Sequence, residues 1–211
     1  MRSTQTLAAL AIGISTLASI PTQLGAPNTE TRTPRTPAEN PVVREDTTSA
    51  PTGGLRRAVV VGGARIYADS DDQLREALWA LGRYAEAGLD LPTLTIRLHD
   101  SNDPCGGHAG VRRVEDDTDI IDICTEASWT ILHELAHVWA SKNLTDADRD
   151  AFVALQGLDT WSGSEIPWQD RGTEQAADLV ALALSDSTHI PSHVWRGSVV
   201  LLEEAYQTLT G

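Results

Sequence analysis

Leu94, Ile96 and Leu98 alternate with Thr95, Arg97 and His99, the two-residue period of a strand with one buried face. Upstream, Arg57–Tyr67 reads as strand, Gly-Gly turn or bulge, then strand. Between them the period lengthens. Leu74, Leu78 and Leu81 recur at helical spacing behind Asp71 or Asp72 as a cap, and Gly88 suits the end of that helix near Ala87. Residues 100–110 read as a loop and Asp119–Cys124 as a second short strand. From about Ser128 the pattern is helical, with Leu132, Leu135 and Trp139 three and four residues apart. Thr145 starts a further helix as N-cap, ending at Gly157; Thr173–Leu184 and Trp195–Leu209 complete the set. The expected class is α+β: a small sheet ahead of a helical C-terminal half.

The first part of the chain follows neither period. Residues 7–20 form an apolar run behind Arg2, the length of a signal h-region and short for a bilayer span. Residues 1–26 are therefore expected to be a signal peptide or an N-terminal anchor. The protein would be secreted or extracellular, or held at a membrane by residues 7–20 alone. Residues 21–56 hold six of the ten prolines and eight threonines, too little apolar surface to offset ordering entropy. A disordered Pro/Thr-rich linker is expected over 27–56, with the folded domain spanning 57–211.

Composition narrows the partners. A formal net charge of −14 argues against nucleic acid, whose phosphates need a basic surface. Cys105 and Cys124 are the only cysteines, and in an exported chain an even pair reads first as a disulfide.

The candidate chemistry lies in His133-Glu134-Leu135-Ala136-His137. Residues four apart on a helix differ by about 40° around its axis, so His133 and His137 can offer two imidazoles to one metal ion. Glu134 lies about 100° from His133, displaced from the metal but within reach of a water bound to it. That is the pattern of a zinc peptidase: two ligands and a general base on one helix. An astacin-like third ligand would need Gly at 140 and His at 143, where this chain has Ala140 and Asn143. Further on, Glu174 and Asp178 are again four apart on a predicted helix. One can ligate zinc while the other accepts a hydrogen bond from a ligand imidazole. Ala176-Ala177 would let that helix approach the motif helix closely. Trp129, Trp139, Trp161, Trp168 and Trp195 read as core or cleft-edge packing.

The pairing of His133-Glu134-Leu-Ala-His137 with Glu174-Gln-Ala-Ala-Asp178 resembles the gluzincin, thermolysin-like zinc metallopeptidases, particularly their small single-domain members. The resemblance covers roughly residues 93–185 and rests on these two motifs. It implies a zincin-like fold with a small sheet packed on the HExxH helix. It also implies Zn2+ held by His133, His137 and Glu174, Glu134 as general base, and Asp178 orienting His133. A peptide or protein substrate follows, bound by a monomer. An upstream strand, Thr93–Asp100 or Asp119–Cys124, would pair with the substrate backbone, and a Cys105–Cys124 bridge would pin the Gly106-Gly107-His108 loop beside the cleft. For the oxyanion-stabilising residue no motif decides. His189, His193 and Tyr206 are candidates, with His99 and His108 weaker ones. The rival reading is a catalytically inactive zincin-like extracellular binding module, against which the intact Glu134 counts.

Overall fold

The computed structural model describes residues 44–45, 57–125, 128–187, 190, 194 and 199–211. The chain divides into the units Met1–Glu39 and Asn40–Gly211, and every described residue belongs to the second. The signal or anchor expected over 1–26 lies outside the described residues, as does most of the linker. Within that linker stretch Arg44–Glu45 forms a two-residue strand, β1. Main-chain pairing at a sheet edge needs no apolar side-chain pattern.

The fold is mixed α and β. β2 (Arg57–Val61) and β3 (Ala64–Ala68) form the expected hairpin around Gly62-Gly63. α1 (Asp71–Ala87) crosses to β4 (Leu94–Leu98), which runs parallel to β3. β5 (Gly110–Glu115) and β6 (Thr118–Ile123) are an antiparallel hairpin, and β6 is parallel to β4. α2 (Ser128–Asn143), α3 (Asp146–Gln156), α4 (Gly172–Leu184) and α5 (Val199–Thr210) follow. The sheet order is β1-β2-β3-β4-β6-β5.

That order corrects one expectation. β4 is flanked by β3 and β6, and β6 by β4 and β5, so neither strand expected to receive a substrate has a free edge. The outer strand on that side is β5, which the sequence pattern left unassigned. Its turn is a two-residue loop in which Asp116 and Asp117 have φ of 47° and 62°. Positive φ at both central residues matches the twist of a tight hairpin, and Asp tolerates it better than most residues.

One face of the sheet carries Ile66, Leu94, Ile96, Leu98, Ile121 and Ile123, all buried under α1 and α2. In α1 the innermost residues are Ala77, Ala80 and Tyr84, with Leu74, Leu78 and Leu81 flanking them. The small alanines bring the helix axis close to the sheet. The Tyr84 hydroxyl donates to the Leu132 carbonyl at 2.8 Å, tying α1 to α2 one residue before the motif. The N-cap of α1 is Ser70 in a reciprocal box with Gln73, not Asp71 or Asp72. Thr145 and Gly157 cap α3 as expected. α4 packs along α2 with Ala176 and Ala177 buried between them.

Candidate metal centre

α2 is almost wholly buried, and its motif stripe faces α4 on one side and the start of β5 on the other. α4 begins at Gly172, where a Cβ would meet Trp161 and Val153 at 3.0–3.1 Å, so only glycine fits this close approach. That tight seat brings Glu174, on the first turn, level with the two histidines.

The result is a nearly equilateral triangle of donor atoms. His133 Nε2 lies 3.1 Å from His137 Nε2 and 3.3 Å from Glu174 Oε2; His137 Nε2 lies 3.2 Å from the same oxygen. Two imidazole nitrogens and a carboxylate oxygen converge so closely only around a cation or shared protons. A tetrahedral ion with ligand distances of about 2.0–2.1 Å requires donor separations of about 3.3 Å, so the observed edges fit. Two imidazoles and one carboxylate form a donor set suited to a divalent transition metal ion. Among the described residues this is the one cluster of three or more His, Cys, Asp or Glu able to hold a metal ion.

Asp178, one turn further along α4, has Oδ1 2.7 Å from His133 Nδ1. The arrangement fixes the ring so that Nε2 points into the triangle, the support metal histidines need. Of the two carboxylates, then, Glu174 joins the donor triangle and Asp178 stands behind it.

Electrostatics follow from this packing. Burial pulls the His133 imidazolium down, yet hydrogen bonds to Asp178 and Glu174 outweigh it and raise the pKa to about 9. Burial likewise pushes Glu174 up, but the bonds from His133 and His137 hold it well below the usual carboxylate range. Glu134 is pushed up by burial, with His137 and His133 pulling it back and Glu174 adding to the rise. A carboxyl lifted toward neutrality is suited to accept and return a proton.

A cleft of about 670 Å³ opens over this centre. Glu134 lines it together with Gly110 and Arg112 of β5, Trp129 of α2, Trp168 and Thr173. Trp168 is 46% exposed and stacks on His133 with ring centroids 6.1 Å apart. Gly110 permits the closest approach: a Cβ there would lie 2.7 Å from Glu134 Cγ and Oε1 and 2.9 Å from Thr130 Cγ2. Neither Gly110 nor Arg112 was marked by the sequence. Their importance comes from β5 lying beside α2, which no local pattern reports.

The remaining sequence candidates separate cleanly. Cys105 and Cys124 are joined, and Cys124 N–H donates to the Ala109 carbonyl, so the bridge anchors the His108-Ala109 segment that lines the cleft. His99 is absent from the cleft lining: its Nε2 lies 2.6 Å from Asp122 Oδ1, on the sheet face away from α2. Tyr206 packs against the core from α5 and does not line the cleft. His189 and His193 lie outside the described residues, as does Trp195. No helix among the described residues is long and apolar enough to cross a membrane. Comparison of the chain with protein-family models, curated proteins and solved structures finds no match.

Proposed function

We propose that this chain is a zinc-dependent peptidase of the gluzincin type, with a zincin-like fold. The observation that carries the reading is the donor triangle of His133, His137 and Glu174, backed by Asp178 and placed beside Glu134 in an open cleft. Zinc held there would supply a Lewis acid and a water acidified toward about pH 7. Glu134 takes the proton of the attacking water and passes it to the departing amine. Asp178 holds His133 in register, and the outer edge of β5, unpaired among the described residues, binds the substrate as an added strand. A purely structural zinc site would favour a fourth protein ligand and would have no use for Glu134.

The test is incubation of the full chain, with one equivalent of zinc, against a mixed peptide library. Cleavage that disappears with a chelator and returns with zinc is expected. Silence with zinc bound one to one would move the reading to a binding module.

The same reading gives Gly110 a measurable part. Gly110→Ala is expected to lower kcat/KM about ten- to a hundredfold, because displacing Glu134 by several tenths of an ångström spoils the proton transfer. Zinc affinity should stay within about twofold, since no ligand moves with it. Unchanged turnover would show that the cleft relaxes around the methyl group.

A further inference from the structure

β5 presents a definite register to whatever lies against it. Cys124 N–H bonds the Ala109 carbonyl, and Glu115 and Thr118 close the two-residue hairpin. Residues 109, 111, 113 and 115 thus turn their peptide groups toward β6. The peptide groups of Gly110, Arg112 and Val114 face the outer edge, where no strand lies among the described residues.

The side chains at 110 and 112 share the face covered by α2. Position 110 abuts Thr130 and Glu134, whereas the Arg112 guanidinium reaches Ser141 Oγ at 2.8 Å, beyond His137. β5 therefore runs in the same sense as α2, from the Glu134 end of the cleft to a cationic end. There Arg112 and Lys142 both approach Asp119, at 2.5 Å and 3.5 Å. Asp119 is 1% exposed and carries one negative charge against two positive ones. Arg113, on the opposite face, is taken up by Asp122 and Glu115. Arg112, the member of this group that lines the cleft, and Lys142 together exceed the charge of Asp119 by one.

We infer that the cleft selects peptides with an acidic side chain on the N-terminal side of the cleaved bond. That side chain sits beside Arg112, two residues from the one opposite Gly110. The inference rests on the peptidase reading above. Antiparallel addition, the more stable pairing, directs the substrate's N-terminal part toward Arg112. A residue directly opposite on an antiparallel strand brings its Cβ to about 4.5–5.5 Å, where opposite charges attract. The residue between the two faces the other side of the sheet and escapes this selection.

Replacing Arg112 would strand buried Asp119, so the charge is best varied on the ligand. Short Thr/Val/Ser peptides carrying one Glu, Gln or Lys, scanned through every position, are offered to the zinc-loaded wild-type chain, with cut sites read by mass spectrometry. The same peptides are titrated by fluorescence anisotropy against the zinc-loaded Glu134→Gln chain. The expected order at one position N-terminal to the cut is Glu over Gln over Lys, each step roughly two- to fivefold, shrinking as salt is raised. Lys142→Gln, which leaves Arg112 on Asp119, should reduce the preference. Equal cleavage and binding of all three series, or a preference confined to the C-terminal side, overturns the inference and leaves the peptidase reading standing. Absence of any cleavage overturns that reading and the inference that rests on it together, and the binding order in the Glu134→Gln chain then says only whether an acidic side chain is preferred.

Discussion

Glu134→Gln is expected to bind one zinc per chain and to lose roughly 10²- to 10⁴-fold in kcat/KM, the contribution of a positioned general base. Zinc is retained because Glu134 stands outside the donor triangle; none of the three edges involves its carboxylate. Turnover is lost because an amide of the same shape cannot accept the proton of the attacking water. The fold should tolerate the change, since His133 keeps Asp178 and Glu174 as partners when Glu134 is neutralised. Its carboxyl already sits above its ordinary value through burial, so a neutral side chain there costs little. Three measurements on one preparation separate the possibilities: zinc content, thermal midpoint and peptide cleavage. Full activity with full zinc would remove Glu134 as the base. Loss of zinc would make it a ligand, and the triangle would have to be redrawn.

The part of the site that is legible in the sequence is the part written within single helices. His133, Glu134 and His137 are related by one helical turn, and so are Glu174 and Asp178; spacing alone fixes their directions. The buried Ala176 and Ala177 pair is likewise visible, since small residues between Glu174 and Asp178 announce close helix packing. What escapes is anything decided by strand order. Alternation in Leu94–Leu98 identifies a half-buried strand but cannot say which strands flank it. β5 shows no apolar alternation: opposite Ile121 and Ile120 it sets Arg112 and Arg113, which reach diagonally to Asp119 and Asp122. The strand that shapes the cleft therefore goes unassigned, and Gly110 reads as the last residue of a loop. In α1 the leucines mark one face, while the deepest burial falls on Ala77, Ala80 and Tyr84. Helix periodicity gives a stripe, and the neighbour's shape decides which edge of that stripe goes deepest.

Zinc affinity is expected to rise about tenfold per pH unit through neutrality and to level off near pH 9, a change of roughly a hundredfold over two units. In the metal-free chain burial alone would strip His133 of its proton. The bonds from Nδ1 to Asp178 and from Nε2 to Glu174 hold it on and raise the pKa from 6.5 to about 9. A metal must take the Nε2 position, so one proton has to leave, while Asp178 keeps the one on Nδ1. Glu174 is already ionised in this range, held low by the same two histidines, and releases nothing. Calorimetry at neutral pH in buffers of different ionisation enthalpy should therefore count about one proton released per zinc bound. The sign carries over to stability. A histidine whose folded pKa is raised stabilises the metal-free chain below pH 6.5, and that contribution disappears as pH climbs through about 9. The metal-free thermal midpoint should fall across this window, with the zinc-loaded one nearly flat. Asp178→Asn removes the strongest hold on the His133 proton, so the plateau should begin at lower pH and lie about ten- to a hundredfold lower in affinity. A pH-independent affinity in the wild-type chain would mean that His133 is neutral before the metal arrives. The triangle would then be held open by something other than the proton its geometry calls for.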